Sequence, residues 1–137
     1  MALDFGKRRT GVAVSDPLGM FATPVTTIES DDEDATIDEV IRLADENEVG
    51  VIIVGMPISL SGRKGPQARL VAQFVSALTK RVDVPVKTID ERFSSVDAER
   101  IIRESGGSPS RNKARVDAVA AAVILQSYLD SKSISSG

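Results

Sequence analysis

Residues 2–16 read ALDFGKRRTGVAVSD. Two short apolar runs, ALDF and TGVAVSD, flank a Gly-Lys-Arg turn signal, which is the pattern of paired strands. A third, β-branched run, ATPVTTI at 22–28, follows the Pro-Leu-Gly turn at 17–19. Links this short join antiparallel neighbours, so the first thirty residues are expected to form a three-stranded antiparallel unit. An acid, Asp4, stands inside the apolar first strand. A carboxylate among core-bound residues is costly unless it is paired or metal-bound, and Gly6 allows a backbone to pass close to a phosphate or metal. The same Asp-x-Gly also suits a plain turn at a strand end.

From about Asp31 the period changes. Ile37, Val40, Ile41 and Ala44 recur at helical spacing, with Asp31 to Asp34 where a helix N-terminus favours negative charge. The run Val49 to Val54 is apolar on both faces, as a buried parallel strand should be. After the loop GMPISLSGRKGP comes a helix with Leu70, Phe74 and Leu78 on one face, and VPVKTIDE supplies a fifth strand. Ser94 and Asp97 resemble a capping box that starts a short helix ending at Gly106 and Gly107. A last helix is expected from about Lys113 to Leu129. This order describes an RNase H-like α/β domain. Its five-stranded mixed sheet, three antiparallel then two parallel strands, is flanked by helices over residues 1–130, with a disordered tail at 131–137.

At 137 residues the chain fits one domain, and with 4% aromatics its core must be built from Val, Ile, Leu and Ala. Cysteine and histidine are both absent. That excludes disulfides, thiol nucleophiles, Ser-His triads and Cys- or His-bound metal, and leaves carboxylates with hard cations as the leading route to hydrolysis. No apolar run is long enough for a membrane span and no signal peptide is recognisable, so a soluble cytoplasmic protein is expected. The net charge of −3 is segregated: residues 29–48 hold ten acids and one base, whereas the rest carries ten acids and sixteen bases. An acidic helix can face away from a polyanion that a basic face binds.

Two further acids invite use. Asp117 shares a helical stripe with Ala120, Ala121 and Ile124 that should face the sheet, where an Asp is a poor core residue; pairing with Lys113 at i−4 is the structural alternative. Asp90 and Glu91 are adjacent at a strand end and point to opposite faces, so at most one joins Asp4. Asp16, before Pro17, reads as a turn former. Clustered carboxylates repel one another, and Mg²⁺ or Mn²⁺ relieves that repulsion. Two such ions can activate a water and stabilise the leaving oxygen of an in-line phosphodiester displacement. Lys7, Arg8, Arg9, Arg63, Lys64, Arg92, Arg111 and Lys113 are candidate phosphate contacts. With few aromatics, recognition should rest on backbone and shape.

Four blocks in order, LDFGKRRTGVAVSD, IVGMPISLSGRKG, IDERFSS and RNKARVDAVAAAVILQSYL, span roughly residues 3–130. Together they resemble the YqgF (RuvX) family, Holliday-junction-resolvase-like proteins regarded as nucleases processing the 5′ end of pre-16S ribosomal RNA. The resemblance implies a hydrolase holding Mg²⁺ or Mn²⁺ on Asp4, Glu91 and Asp117, with Glu91 chosen over Asp90. It implies a nucleic-acid partner, pre-ribosomal RNA or branched DNA, and no membrane; nothing in the sequence sets an oligomeric state. The chain departs from related junction resolvases in one respect: they take an acid from the end of the fourth strand, which here reads VGMP. Rival readings are a Holliday junction resolvase acting on branched DNA, a non-catalytic nucleic-acid-binding module, and an actin-like ATPase. The last requires two such domains and a phosphate loop that GRKG does not match.

Overall fold

A computed structural model of the chain describes residues 1–56, 65–90 and 113–136. The elements are β1 (Ala2–Phe5), β2 (Arg9–Ser15), β3 (Ala22–Glu29), α1 (Glu33–Glu46), β4 (Ile52–Met56), α2 (Pro66–Arg81), β5 (Val86–Asp90) and α3 (Lys113–Ser136). They build one mixed sheet in the order β3-β2-β1-β4-β5. β1, β2 and β3 pair antiparallel, and β4 runs parallel to β1 and to β5. This is the expected three-antiparallel, two-parallel sheet. The predicted short helix between Ser94 and Gly107 lies outside the described residues.

Strand alternation sorts the helices onto two faces. Leu3, Val12, Ile52 and Val54 meet Ile37 and Val40 of α1 and Val71, Phe74 and Leu78 of α2. Ala2, Ala13 and Ile53, from the alternate positions, meet Ala121, Ile124 and Leu125 of α3. The core is therefore divided by the sheet, with aliphatic side chains on both sides, as the lack of aromatics required. Phe74 is fully buried and stacks on Phe5 with ring centroids 4.2 Å apart. Truncating such a residue costs about 3 to 5 kcal/mol, and here it would also release the end of β1. Because Phe5 is committed to the α2 side, its neighbour Asp4 is turned to the α3 side.

Local signals explain the helix ends. Asp32 caps α1 by accepting from the Asp34 N–H at 3.1 Å, with Glu33 and Asp34 in the first turn. Pro66 opens α2 at a position where a missing N–H costs nothing. The buried stripe of α2 is Ala68, Val71, Phe74 and Leu78; Leu70 sits at its margin, one residue off the expected face. α3 continues to Ser136, beyond the end expected near Leu129, because no Gly or Pro interrupts it.

α3 lies close to β2 for a specific reason. A Cβ placed on Gly11 would stand 1.9 Å from the Asp117 carbonyl oxygen and 2.9 Å from the Ala118 nitrogen. Only a residue without a side chain permits that seat. Gly11→Ala is expected to lower stability by at least about 2 kcal/mol in urea unfolding. An unchanged midpoint and slope would show that the helix does not depend on this contact.

Candidate active site

The register places the predicted carboxylates relative to one another. Asp4 on β1 lies directly opposite Gly11 on β2, so both point to the α3 side, and the Asp117 backbone rests on Gly11. Asp4 and Asp117 thus come from opposite ends of the chain to one end of one face. That end is where the parallel strands β1, β4 and β5 finish, the edge at which open α/β sheets place ligands. Leu3 pairs with Val54, which puts Gly55 level with Asp4 on the neighbouring strand. Ile89 on β5 is level with Gly55 and packs on the α3 side.

Asp117 follows the expected stripe with one amendment. Ala121 and Ile124 face the sheet with it, whereas Ala120 joins Val116, Val119 and Val123 in a separate cluster. One carboxylate oxygen, Oδ2, is inaccessible to solvent and accepts no hydrogen bond from the described residues, although the side chain as a whole keeps 26% of its exposure. The Arg9 Nε lies 3.2 Å from that oxygen. Distance qualifies this as an ion pair, while the absence of a hydrogen bond means that no Arg9 N–H is aimed along it. Burial raises the Asp117 pKa above its ordinary value, and the nearby Arg9 charge opposes the rise only in part.

Lys7 and Arg8 are exposed on the turn that follows Asp4. Arg63, Lys64, Glu91, Arg92 and Arg111 lie outside the described residues, as do the side chains of Asp90 and Lys113, and among the described residues no three acids gather into one metal-holding group. Gly6 is required by its own turn. Its close neighbour is the Arg9 carbonyl oxygen, 2.7 Å from where a Cβ would sit, so its missing side chain is used by the turn itself.

Asp16 is a turn former, at the opposite end of the sheet. Its Oδ1 accepts from Met20 N at 2.7 Å and Phe21 N at 3.1 Å, and these backbone N–H groups, Phe21 first, hold its pKa down. The loop leaves Phe21 64% exposed. A cavity of about 500 Å³ near this end, lined by Val14, Asp16, Pro17, Asn47 and Val51 among others, is remote from both carboxylates. The acidic helix α1 packs across the sheet from α3 and neutralises part of its charge internally, through Arg42 with Glu39 and Glu46.

The family's sequence model, described as RuvX: Holliday junction resolvase, matches residues 1–131. This chain belongs to the RuvX family. It is 42% identical over 132 residues to a protein of Chloroflexus aurantiacus (strain ATCC 29366 / DSM 635 / J-10-fl), covering 96% of this chain and 86% of that one. A Roseiflexus sp. (strain RS-1) protein is 43% identical over 132 residues, covering 96% and 94%. Both carry the name "Putative pre-16S rRNA nuclease". Among solved structures, T. thermophilus RuvC in complex with Holliday junction substrate superposes with a TM-score of 0.60 at 13% identity, covering 96% of this chain and 92% of that one. Fowlpox virus resolvase with substrate Holliday junction DNA gives 0.55 at 15% identity, with 95% of each chain covered. At such identities the likeness shows the resolvase-like, RNase H-like fold. RuvX membership makes the chain a nuclease, a hydrolase of phosphodiester bonds.

The raised Asp117 pKa fixes the sign of a pH effect. A carboxyl that holds its proton more tightly when folded contributes stability fully present below its unfolded pKa, near 3.8, and lost as pH rises through the folded value. In the presence of EDTA, Asp117→Asn is therefore expected to equal or exceed the parental melting temperature at pH 7, with the gap closing below pH about 4. A variant less stable at pH 7 would mean that the Arg9 pair outweighs the burial of the charge.

Proposed function

We propose that this RuvX protein is a cytoplasmic, divalent-metal-dependent nuclease that processes the 5′ end of pre-16S ribosomal RNA, with Asp4, Glu91 and Asp117 as its metal-holding catalytic carboxylates. The observation that carries the reading is the Asp117 Oδ2, buried without a hydrogen bond at the same end and on the same side of the sheet as Asp4. A buried carboxylate oxygen that has the Arg9 charge beside it but no directed hydrogen bond keeps lone pairs that a coordinating cation can use. The donor set suits Mg²⁺ or Mn²⁺, since all the donors are hard oxygens and the chain has neither Cys nor His. Glu91, rather than its neighbour Asp90, is taken as the third carboxylate from the sequence resemblance of the IDERFSS block.

When bound, a pair of such ions supplies Lewis-acid activation of the attacking water and of the scissile phosphate. The protein's own contribution is positional. Gly11 seats the helix that carries Asp117, and Phe5 on Phe74 fixes the strand end that carries Asp4. Lys7 and Arg8 offer charge to the flanking phosphates, with Arg63, Lys64, Arg92, Arg111 and Lys113 assigned the same duty from sequence. The acidic α1, across the sheet, keeps its repulsive field away from the polyanion.

A second reading has its own support: the family is described as a Holliday junction resolvase, and the T. thermophilus and Fowlpox virus resolvases of like fold are in complex with Holliday junctions, so branched DNA is the rival substrate. Cleavage of pre-16S RNA, linear duplex and four-way junction by the purified protein, with Mg²⁺ and with Mn²⁺, separates the two. Cleavage of the RNA at its 5′ side is expected, reduced at least about 10³-fold in Asp4→Asn. Metal-independent cleavage, or an Asp4→Asn variant of parental rate, would remove the carboxylates from the chemistry; preferential junction cleavage would exchange the substrate.

A further inference from the structure

Asp117 already has a cation beside it. Arg9 opens β2 two residues before Gly11, so its side chain leaves the strand on the same side as Gly11 and Asp4. Its backbone is tied down, because β2 and β3 pair through Arg9 and Glu29 and the Ser30 N–H donates to the Arg8 carbonyl at 3.0 Å. Glu29 is its cross-strand partner, yet among the described residues its ion pair within 4 Å is to Asp117 on a distant helix. The Arg9 side chain keeps 39% of its exposure, so it is in contact with solvent as well as with the buried carboxylate. Its Nε approaches Oδ2 to 3.2 Å without donating to it. The contact supplies charge and leaves the oxygen's lone pairs open.

We propose that Arg9 is a resident counter-ion of Asp117 that competes with the divalent cation for this carboxylate and, once released, turns its guanidinium to a substrate phosphate. The inference rests on the reading of Asp117 as a metal ligand. An arginine cannot lose its proton, so its competition is removed only by movement of the side chain. Four methylene and guanidinium torsions allow that movement while the strand stays fixed. A phosphate offers the planar fork two oxygens, which Asp117, with one buried oxygen and no directed hydrogen bond, does not. Lys7 and Arg8, exposed on the adjoining turn, would bring a phosphate within its range. Substrate and metal would then favour each other's binding, since each lowers the cost of displacing Arg9, and that coupling is reciprocal.

The test is calorimetric titration of Mn²⁺, without nucleic acid, into the full chain, Arg9→Gln, Arg9→Lys and Asp117→Asn, with cleavage kinetics alongside. Arg9→Gln is expected to bind Mn²⁺ about three- to fivefold more tightly than the parent, while cleavage slows at least about tenfold. Arg9→Lys keeps the charge and should keep the parental Mn²⁺ affinity within about twofold, yet still lose cleavage, because its single ammonium lacks the fork. Unchanged or weaker Mn²⁺ binding in Arg9→Gln, with the parent binding normally, overturns the proposal and leaves Arg9 as a structural partner of α3. A parent and an Asp117→Asn variant that bind Mn²⁺ equally would overturn it too, by removing the metal site on which it rests.

Discussion

α3 approaches the sheet closely enough to present Asp117 only because position 11 of β2 carries no side chain. The Asp117 carbonyl oxygen occupies the space where a Cβ would project, and the rest of the site depends on that backbone contact. It fixes the helix in rotation and in height, because Ala121, Ile124 and Leu125 then fall onto Ala2, Ala13 and Ile53 on the same face. It also fixes the partner carboxylate, since Gly11 is the residue opposite Asp4. A contact between backbones transmits no flexibility from side-chain rotamers, which would suit the proposed carboxylate site.

Charge is arranged around this contact on two scales. Within the site, burial works against the ionised Asp117 and Arg9 works for it, and the balance leaves an oxygen that accepts no hydrogen bond from the described residues. Across the molecule, the acids of α1 lie beyond the sheet from α3, partly cancelled by Arg42 and by Arg81 on α2, which pairs with Asp38. The −3 net charge of a RuvX nuclease is thus no obstacle to binding a polyanion, because the field near the carboxylates is set by local residues.

Much of this was legible from residue order. Strand alternation in ALDF and TGVAVSD, the helical period around Ile37 to Ala44 and the uninterrupted apolar run at Val49 to Val54 are each one-dimensional signals of burial, and all gave the right element. The common end reached by Asp4 and Asp117 could be anticipated because carboxylates in apolar stripes are conspicuous. What escaped were properties of three-dimensional contact. Gly11 looked like an ordinary strand glycine; its meaning depends on a helix more than a hundred positions away. Arg9 was grouped with Lys7 and Arg8 as a surface base, since no sequence period links it to Asp117. The demand of the turn on Gly6, where the Arg9 carbonyl oxygen fills the space of a side chain, is a contact of the same kind. The exposure of Phe21 is of the same kind, because it sits in a loop pinned by Asp16.

The central claim is that Asp4 and Asp117 share a divalent cation. Crystals of the protein grown with Mn²⁺ and measured for its anomalous scattering test it directly. The account predicts an anomalous peak about 2.0 to 2.3 Å from carboxylate oxygens of both residues, with the Arg9 guanidinium moved off Asp117. An ordered site in which Mn²⁺ binds elsewhere, or not at all, while Arg9 stays against Asp117 would contradict it.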